Sequence, residues 1–274
     1  TETLVPVVYR GPVEGVPRAE WQLKTPAEIL DLKICDPAMG SGAFLVQVCR
    51  WLAERLLESW AGEEAKGRHI DVEGQVVEDA DDVSEPMPRD AEERATLARR
   101  MIAEKCLYGV DMNPLAVELA KLSLWLTTLA KGRPFGFLDH NLKSGDSLLG
   151  ISDLEQLIQL DMNPKQSGQL RLFGRSIRKS VEEATDLRTR LREIPVRDIT
   201  DVEAMVQLDG QSRRILDLPK LVANAFVGGV LANKKVTDRN ARVETIAALS
   251  DDAAAENAGS IATLERLASE DLAK

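Results

Sequence analysis

Apolar positions along this chain follow two regimes that change near residue 150. In the first, short apolar runs ending on an acid alternate with longer stretches of helical spacing. Residues 32–35 read as a buried strand of the parallel-sheet kind, and from Gly42 the stretch AFLVQVCRWLAERLLESW repeats apolar residues at helical intervals up to Trp60. Pro26, at the head of PAEIL, leads a short helical turn into that strand. A second helix is predicted over about 90–105, then a second strand over 106–111. Pro114 next opens a helix reading LAVELAKLSLWLTTLA, with Asn113 as its cap. Residues 131–137 read as a loop and 140–144 as a third short strand leading to Gly145-Asp146-Ser147. This alternation predicts an α/β fold with a doubly wound parallel sheet, Rossmann-like in plan, with a ligand at the carboxyl ends of the strands.

The second regime is helical. Helices are predicted over 181–193, 201–224 and 239–273, punctuated by Pro164, Gly168, Pro195, Pro219 and Gly228-Gly229, with at most one strand near 170–173. The apolar stretch 221–236 is short and interrupted by Asn224 and Asn233, which predicts a buried helix and turn, not a membrane segment. The domain plan is therefore an α/β core over 1–150 and a mainly helical insertion or second domain over 151–274. Within the core, residues 62–88 break the helical pattern with Gly, Pro and acidic clusters and read as a solvated insertion. The first 25 residues show no sustained periodicity and begin so abruptly that the chain reads as part of something longer.

Composition sharpens this picture in three places. At 274 residues and 44 % hydrophobic content the chain can build a sizeable core. It has no run of about 18 apolar residues and no basic-then-apolar leader, so no membrane association is expected and the default location is cytoplasmic. The net charge of −10 disfavours a phosphate-binding surface overall, but it is unevenly spread. Residues 62–94 hold twelve acids against four bases, whereas 171–242 hold fifteen bases against ten acids, so a locally basic face is compatible with the total. The Arg188, Arg190 and Arg192 run is read first as a solvated face paired with Glu182, Glu183 and Asp186. Cys35, Cys49 and Cys106 lack CxxC spacing and are expected as small core residues; with His69 and His140 isolated, no metal site is expected. Trp51, Trp60 and Trp125 sit at apolar helical positions and are expected to pack.

The chemistry gathers at the strand-to-helix turns. A glycine turn after a first strand can cradle a pyrophosphate, but a dinucleotide fingerprint wants a small residue where Leu45 stands. Asp36 ahead of the first glycine would repel a pyrophosphate and attract the ammonium of an amino-acid ligand. DPAMGSGAFL resembles motif I of the class I S-adenosylmethionine-dependent methyltransferases, in the D-P-x-x-G-S-G-x-F form of N6-adenine DNA methyltransferases. LYGVDMNPLAVELAKLSLWL resembles their second motif and SGDSLLG their third. The resemblance covers about 27–150 and is closest to the large restriction-modification and phage-defence methylases. It implies that Asp36, Pro37 and the backbone at Ala38, Gly40 and Gly42 hold the methionine part of S-adenosyl-L-methionine. It further implies that Asp111 takes the ribose, Met112 the adenine face and Asp146 the adenine amine, with Ser147 also among the cofactor-binding residues. Double-stranded DNA is then the expected partner, with further proteins of a defence complex.

One departure bears on mechanism. Such enzymes carry an Asn/Asp-Pro-Pro-Tyr/Phe motif that holds a flipped target base. This chain has no Pro-Pro dipeptide; Asn113-Pro114 and Asn163-Pro164 are followed by Leu115 and Lys165. No catalytic residue is assigned, and the resemblance implies cofactor binding without turnover, with the catalytic loop outside this stretch. A methyltransferase acting on protein glutamine or RNA, or a non-catalytic interaction subunit, stays open beside the DNA reading.

Overall fold

The structure is a computed structural model that describes residues 4–10, 17, 20–83, 85–129, 134, 138–164 and 171–272. The chain divides into two compact units, one of 1–147 with 194–203, the other of 148–193 with 204–274.

The first unit opens with a four-residue helix, α1 (Val5–Val8), and an antiparallel strand pair, β1 (Tyr9–Arg10) with β2 (Gln22–Leu23). Helix α2 (Pro26–Leu30) has proline in its first turn and a capping box. In that box Glu28 N–H donates to Thr25 Oγ1, and the Glu28 carboxylate accepts from Thr25 N–H at 2.9 Å. It delivers the chain to β3 (Ile34–Asp36), which leads through the glycine turn to α3 (Ala43–Glu64). There follow a hairpin, β4 (His69–Ile70) with β5 (Val76–Val77), then α4 (Ala91–Lys105), β6 (Leu107–Asp111), α5 (Pro114–Thr127) and β7 (Leu142–Ser144). Asp90 caps α4 by accepting from Glu92 and Glu93 N–H, and Asn113 caps α5 by accepting from Leu115 N–H at 3.0 Å.

Strands β3, β6 and β7 form one parallel sheet in that spatial order, with Ile34 opposite Leu107 and Gly109 opposite Leu142. The register puts Leu107, Gly109 and Leu142 on one face, where a core built around Leu45, Leu52, Leu56, Trp60 and Ile102 covers them. Cys35, Tyr108, Val110 and Lys143 occupy the opposite face, and Cys35 is exposed there.

That exposure corrects the expectation of three core cysteines. A three-residue strand can bury only the residues whose pleat faces the helices, and Cys35 points the other way. Cys49 and Cys106 are fully buried; Cys49 donates to the Arg99 carbonyl, and burial pushes its thiol up to about 12. A thiol reagent should therefore titrate one cysteine in the native chain and three in guanidinium; two or three reactive thiols under native conditions would contradict this packing.

The acidic stretch 62–88 is likewise not a solvated insertion. Helix α3 continues to Glu64, and the hairpin and its flanks bury Ile70, Val72 and Met87. Gly74, at φ +81°, turns the hairpin against the indole of Trp60, which donates to its carbonyl at 3.3 Å. The acids are absorbed locally: Glu63 accepts from Lys66 and Arg68, Glu64 from Arg94, and Glu73 pairs with Arg197 of the returning segment. Trp51 and Trp125 pack against the same core. The loop expected over 131–137 lies outside the described residues apart from Pro134, whose carbonyl accepts from the buried Arg100.

Among the described residues the second unit contains helices only, α6 (Leu154–Gln159), α7 (Leu172–Glu193), the greater part of α8 (Ile199–Ile215), α9 (Asp217–Ala232), α10 (Val236–Ala254) and α11 (Ala258–Leu272). Its core joins Ile158, Phe173, Ile177, Phe226, Ile246 and Leu264. Two predicted helices are each split in two. Leu216 separates α8 from α9, and a turn with Glu256 at φ +62° separates α10 from α11, letting the chain fold back. The strand expected near 170–173 is instead the start of α7, residue 170 lying outside the described residues. Gly229 permits close approach to α10, since a side chain there would meet Arg242 and Ile246. Arg242 also holds the buried Asp271 of α11 at 3.1 Å. Arg188 leaves the acids of its own helix and donates to Ser212 Oγ of α8 at 3.1 Å, while Arg190 and Arg192 are exposed. No single helix among the described residues is long and apolar enough to cross a membrane.

Candidate cofactor-binding site

The site grows out of the three parallel strands. Asp36 closes β3, Asp111 closes β6, and Asp146 follows β7 by two residues, so three acids stand at the carboxyl ends of three neighbouring strands. Between β3 and α3 the chain must reverse within six residues, and the local chemistry dictates how. The Asp36 carboxylate accepts from Ala38 N–H at 3.0 Å, starting the turn past Pro37. Met39 N–H then donates to the Val110 carbonyl at 3.0 Å, which stitches the loop to β6. Gly42 N–H donates back to the Met39 carbonyl at 2.9 Å and closes the turn.

Asp111 is the organising residue. Its Oδ2 accepts from Gly40 N–H at 2.9 Å and its Oδ1 from Asn113 N–H at 2.9 Å, while its carbonyl accepts from Gly145 N–H at 3.0 Å. One carboxylate thereby fixes the glycine turn, the start of α5 and, through its backbone, the exit of β7. Each carboxylate oxygen retains accepting capacity after one such bond, so a half-buried Asp111 can still take hydroxyl donors from a ligand.

The two glycines of the turn do different things. Both lie in the left-handed region, Gly40 at φ +53° and Gly42 at φ +79°. A side chain at Gly42 would press on Ala120 of α5, with its Cβ 3.0 Å from the Ala120 Cβ and 3.1 Å from the Ala120 Cα. A side chain at Gly40 would meet open space. Gly42 is therefore a packing residue and Gly40 lines the vacant side of the turn. Helix α3 has Gly42 as its N-cap and no side-chain cap, so its first-turn N–H groups are left for solvent or a ligand, and the N-terminal end of its dipole favours a negative group.

Met112 is 73 % exposed beside Asp111, an apolar surface next to a carboxylate. Asp146 and Ser147 are exposed at the end of β7. All nine predicted residues, Asp36, Pro37, Ala38, Gly40, Gly42, Asp111, Met112, Asp146 and Ser147, belong to the first unit and to the strand ends or the turns after them. The sequence reasoning missed one support. Met39 is buried beneath the turn and lies against Gly109, where a side chain would collide with its sulfur. The glycine in the middle of LYGVD was the signal for it, because a glycine inside a strand marks a close approach.

Strands, turn and helices together define an α/β unit built on a three-stranded parallel sheet. Residues 105–202 match the family described as Eco57I restriction-modification methylase. That match spans just over a third of the chain and runs from β6 through β7 into the helices beyond, stopping short of Asp36 and the glycine turn. The likeness supports a methyltransferase of the restriction-modification type and carries no information on the methyl acceptor. No curated protein and no solved structure matches the chain.

Proposed function

We propose that this chain is the S-adenosyl-L-methionine-binding part of a DNA adenine-N6 methyltransferase of a restriction-modification or phage-defence system. The observation that carries the proposal is the convergence of Asp36, Asp111 and Asp146 on the ends of three adjacent parallel strands, around a turn that Asp111 itself ties down. The open space above Gly40 and the uncapped first turn of α3 fit a ligand that ends in an amino acid. In this reading the α3 N–H groups receive the carboxylate, Asp36 attracts the ammonium, Asp111 accepts from the ribose hydroxyls, Met112 underlies the adenine, and Asp146 accepts from its amine. When bound, the cofactor supplies an activated methyl group on a sulfonium. The residues named here bind and orient; none of them activates an acceptor amine.

The acceptor assignment rests on the sequence resemblance and the partial family match. Because the chain holds no Pro-Pro dipeptide, the proposal requires binding without methyl transfer. Calorimetric titration should give saturable, one-to-one binding of S-adenosylmethionine, while tritium transfer from the same cofactor to an adenine-containing duplex stays at background. A folded chain that takes up no cofactor would overturn the proposal, and transfer to adenine by this chain would overturn its division of labour.

A further inference from the structure

We infer a second small-molecule site, within the helical unit and suited to a ribonucleoside 5′-phosphate. A cleft of about 410 Å³ lies between the end of α6, the start of α7, α9 and the first half of α10. Its volume falls in the range of small-molecule sites, roughly 300–1,000 Å³, and is generous for a free amino acid. Leu160, Phe226, Val230 and Val243 supply an apolar floor.

The polar groups around that floor are unequal. Arg171 lines the cleft but is neutralised by Glu244, which it grips with two nitrogens at 2.8 and 3.2 Å. Arg239, also in the lining, makes no ion pair among the described residues. Asp161 accepts at Oδ1 from Asn163 N–H at 3.0 Å, and its other oxygen has no partner among the described residues. One free guanidinium and one free carboxylate oxygen thus share a cleft with the side-chain amides of Asn163 and Asn240. This set matches a ligand with one anionic group, a pair of hydroxyl donors and a planar, hydrogen-bonding ring.

Local repetition supports the same chemistry. The tetrapeptide Asp-Met-Asn-Pro occurs at 111–114 and again at 161–164, and both copies make the same turn, with Asn113 or Asn163 N–H donating to the aspartate two residues before. In the first copy the second oxygen holds Gly40; in the second it is free, and Met162 borders the cleft. Leu160, a buried non-glycine residue at φ +50°, ends α6 and turns the chain so that Asp161 to Asn163 run along the cleft. Left-handed backbone at a bulky residue concentrates at ligand sites.

The inference is independent of the cofactor reading of the first unit, and one titration series separates them. AMP is titrated by calorimetry into the full chain, with dAMP, adenosine and ribose 5-phosphate as partial ligands. The variants are Asp161→Asn, which keeps the turn, Arg239→Gln, and Asp111→Ala. AMP should bind with a dissociation constant of about 1 mM or tighter. Binding should weaken about tenfold in Asp161→Asn and in Arg239→Gln, stay unchanged in Asp111→Ala, and fall about tenfold for dAMP and for adenosine. A 5′-phosphorylated oligoribonucleotide that binds more tightly than AMP assigns the same site to a strand end; weaker binding assigns it to the free nucleotide. Absence of saturable AMP binding overturns the inference, as does binding lost in Asp111→Ala but kept in Asp161→Asn. Equal affinity for AMP and dAMP also overturns it, because Asp161 would then read no diol.

Discussion

Replacement of Asp111 by alanine is expected to abolish S-adenosylmethionine binding and to loosen the turn that forms the site. Two effects combine. The ligand loses the acceptor proposed for its ribose, and the protein loses the two charge-assisted bonds from Gly40 and Asn113 N–H, both at 2.9 Å. A hydrogen bond to a charged group is worth about 1.5–3 kcal/mol. Loss of the ligand contact together with the preorganised turn should therefore cost at least about a hundredfold in affinity, or about 2.7 kcal/mol. Thermal unfolding reads this directly. At a cofactor concentration of a hundred dissociation constants the wild type gains about 2.7 kcal/mol, which raises the melting temperature by about 5–10 °C in a domain of this size. Asp111→Ala should melt somewhat lower without ligand and shift by no more than about 1–2 °C with it. Asp111→Asn keeps an acceptor oxygen for only one of the two N–H groups and should recover part of the unliganded stability but little of the shift. A full ligand-induced shift in Asp111→Ala would exclude the role assigned to this residue.

The two-in-one role of Asp111 marks where sequence reasoning stopped. An acid at the end of an apolar strand, followed by Asn-Pro and a helix, reads as a candidate ligand-facing position, and the strand lies within one residue and the helix within three of the prediction. That the same carboxylate reaches back 71 residues to Gly40 was not legible, because spacing along a chain carries no information on which turn lies beside which strand end. The acidic stretch failed for a related reason. Its composition reads as solvated, yet Ile70, Val72 and Met87 alternate with the acids closely enough to bury a hairpin edge, and Arg68 from within the stretch, with Arg94 and Arg197 from outside it, pairs the charges. Helix α5 shows a further limit of periodicity. Its core-facing Val117, Ala120 and Leu124 alternate with Leu115, Leu119, Leu122 and Leu126, all of which are exposed, so an apolar pattern on both sides leaves the buried face unmarked.

In the helical unit the apolar spacing identified helices but overran their ends. In 201–224 the break falls at Leu216 because Pro219 has no N–H for the Ile215 carbonyl and cannot continue α8, whereas it fits in the first turn of α9. The turn at Glu256 has no such residue: Ala253 to Asn257 would propagate a helix in isolation, but α10 and α11 both bury faces against α9 and the chain has to reverse between them. Tertiary burial outweighs the small local preference at such positions.

The glycine turn offers the sharpest separation of folding from binding, because its two left-handed glycines face different surroundings. Gly42→Ala imposes a left-handed conformation on an alanine, costing about 1–2 kcal/mol, and also drives a Cβ to 3.1 Å from the backbone Cα of Ala120, which cannot rotate away. Helix α3 must then move off α5, and overpacking of this kind costs a further 1–3 kcal/mol or so. A loss of about 2–5 kcal/mol follows, a fall on the order of 10 °C in melting temperature. Gly40→Ala carries only the conformational cost, about 1 kcal/mol, since no atom lies within 4 Å of the new methyl group. That methyl would occupy the space assigned to the ligand, so Gly40→Ala should bind S-adenosylmethionine at least tenfold more weakly while melting within a few degrees of the wild type. Gly62→Ala, on an exposed position inside α3 with nothing within 4 Å, calibrates the scale by stabilising the chain about 0.5–1 kcal/mol. If Gly40→Ala and Gly42→Ala instead lose stability equally, Gly42 has no special packing against Ala120. If Gly40→Ala binds the cofactor as the wild type does, the vacant side of the turn is not where the ligand lies.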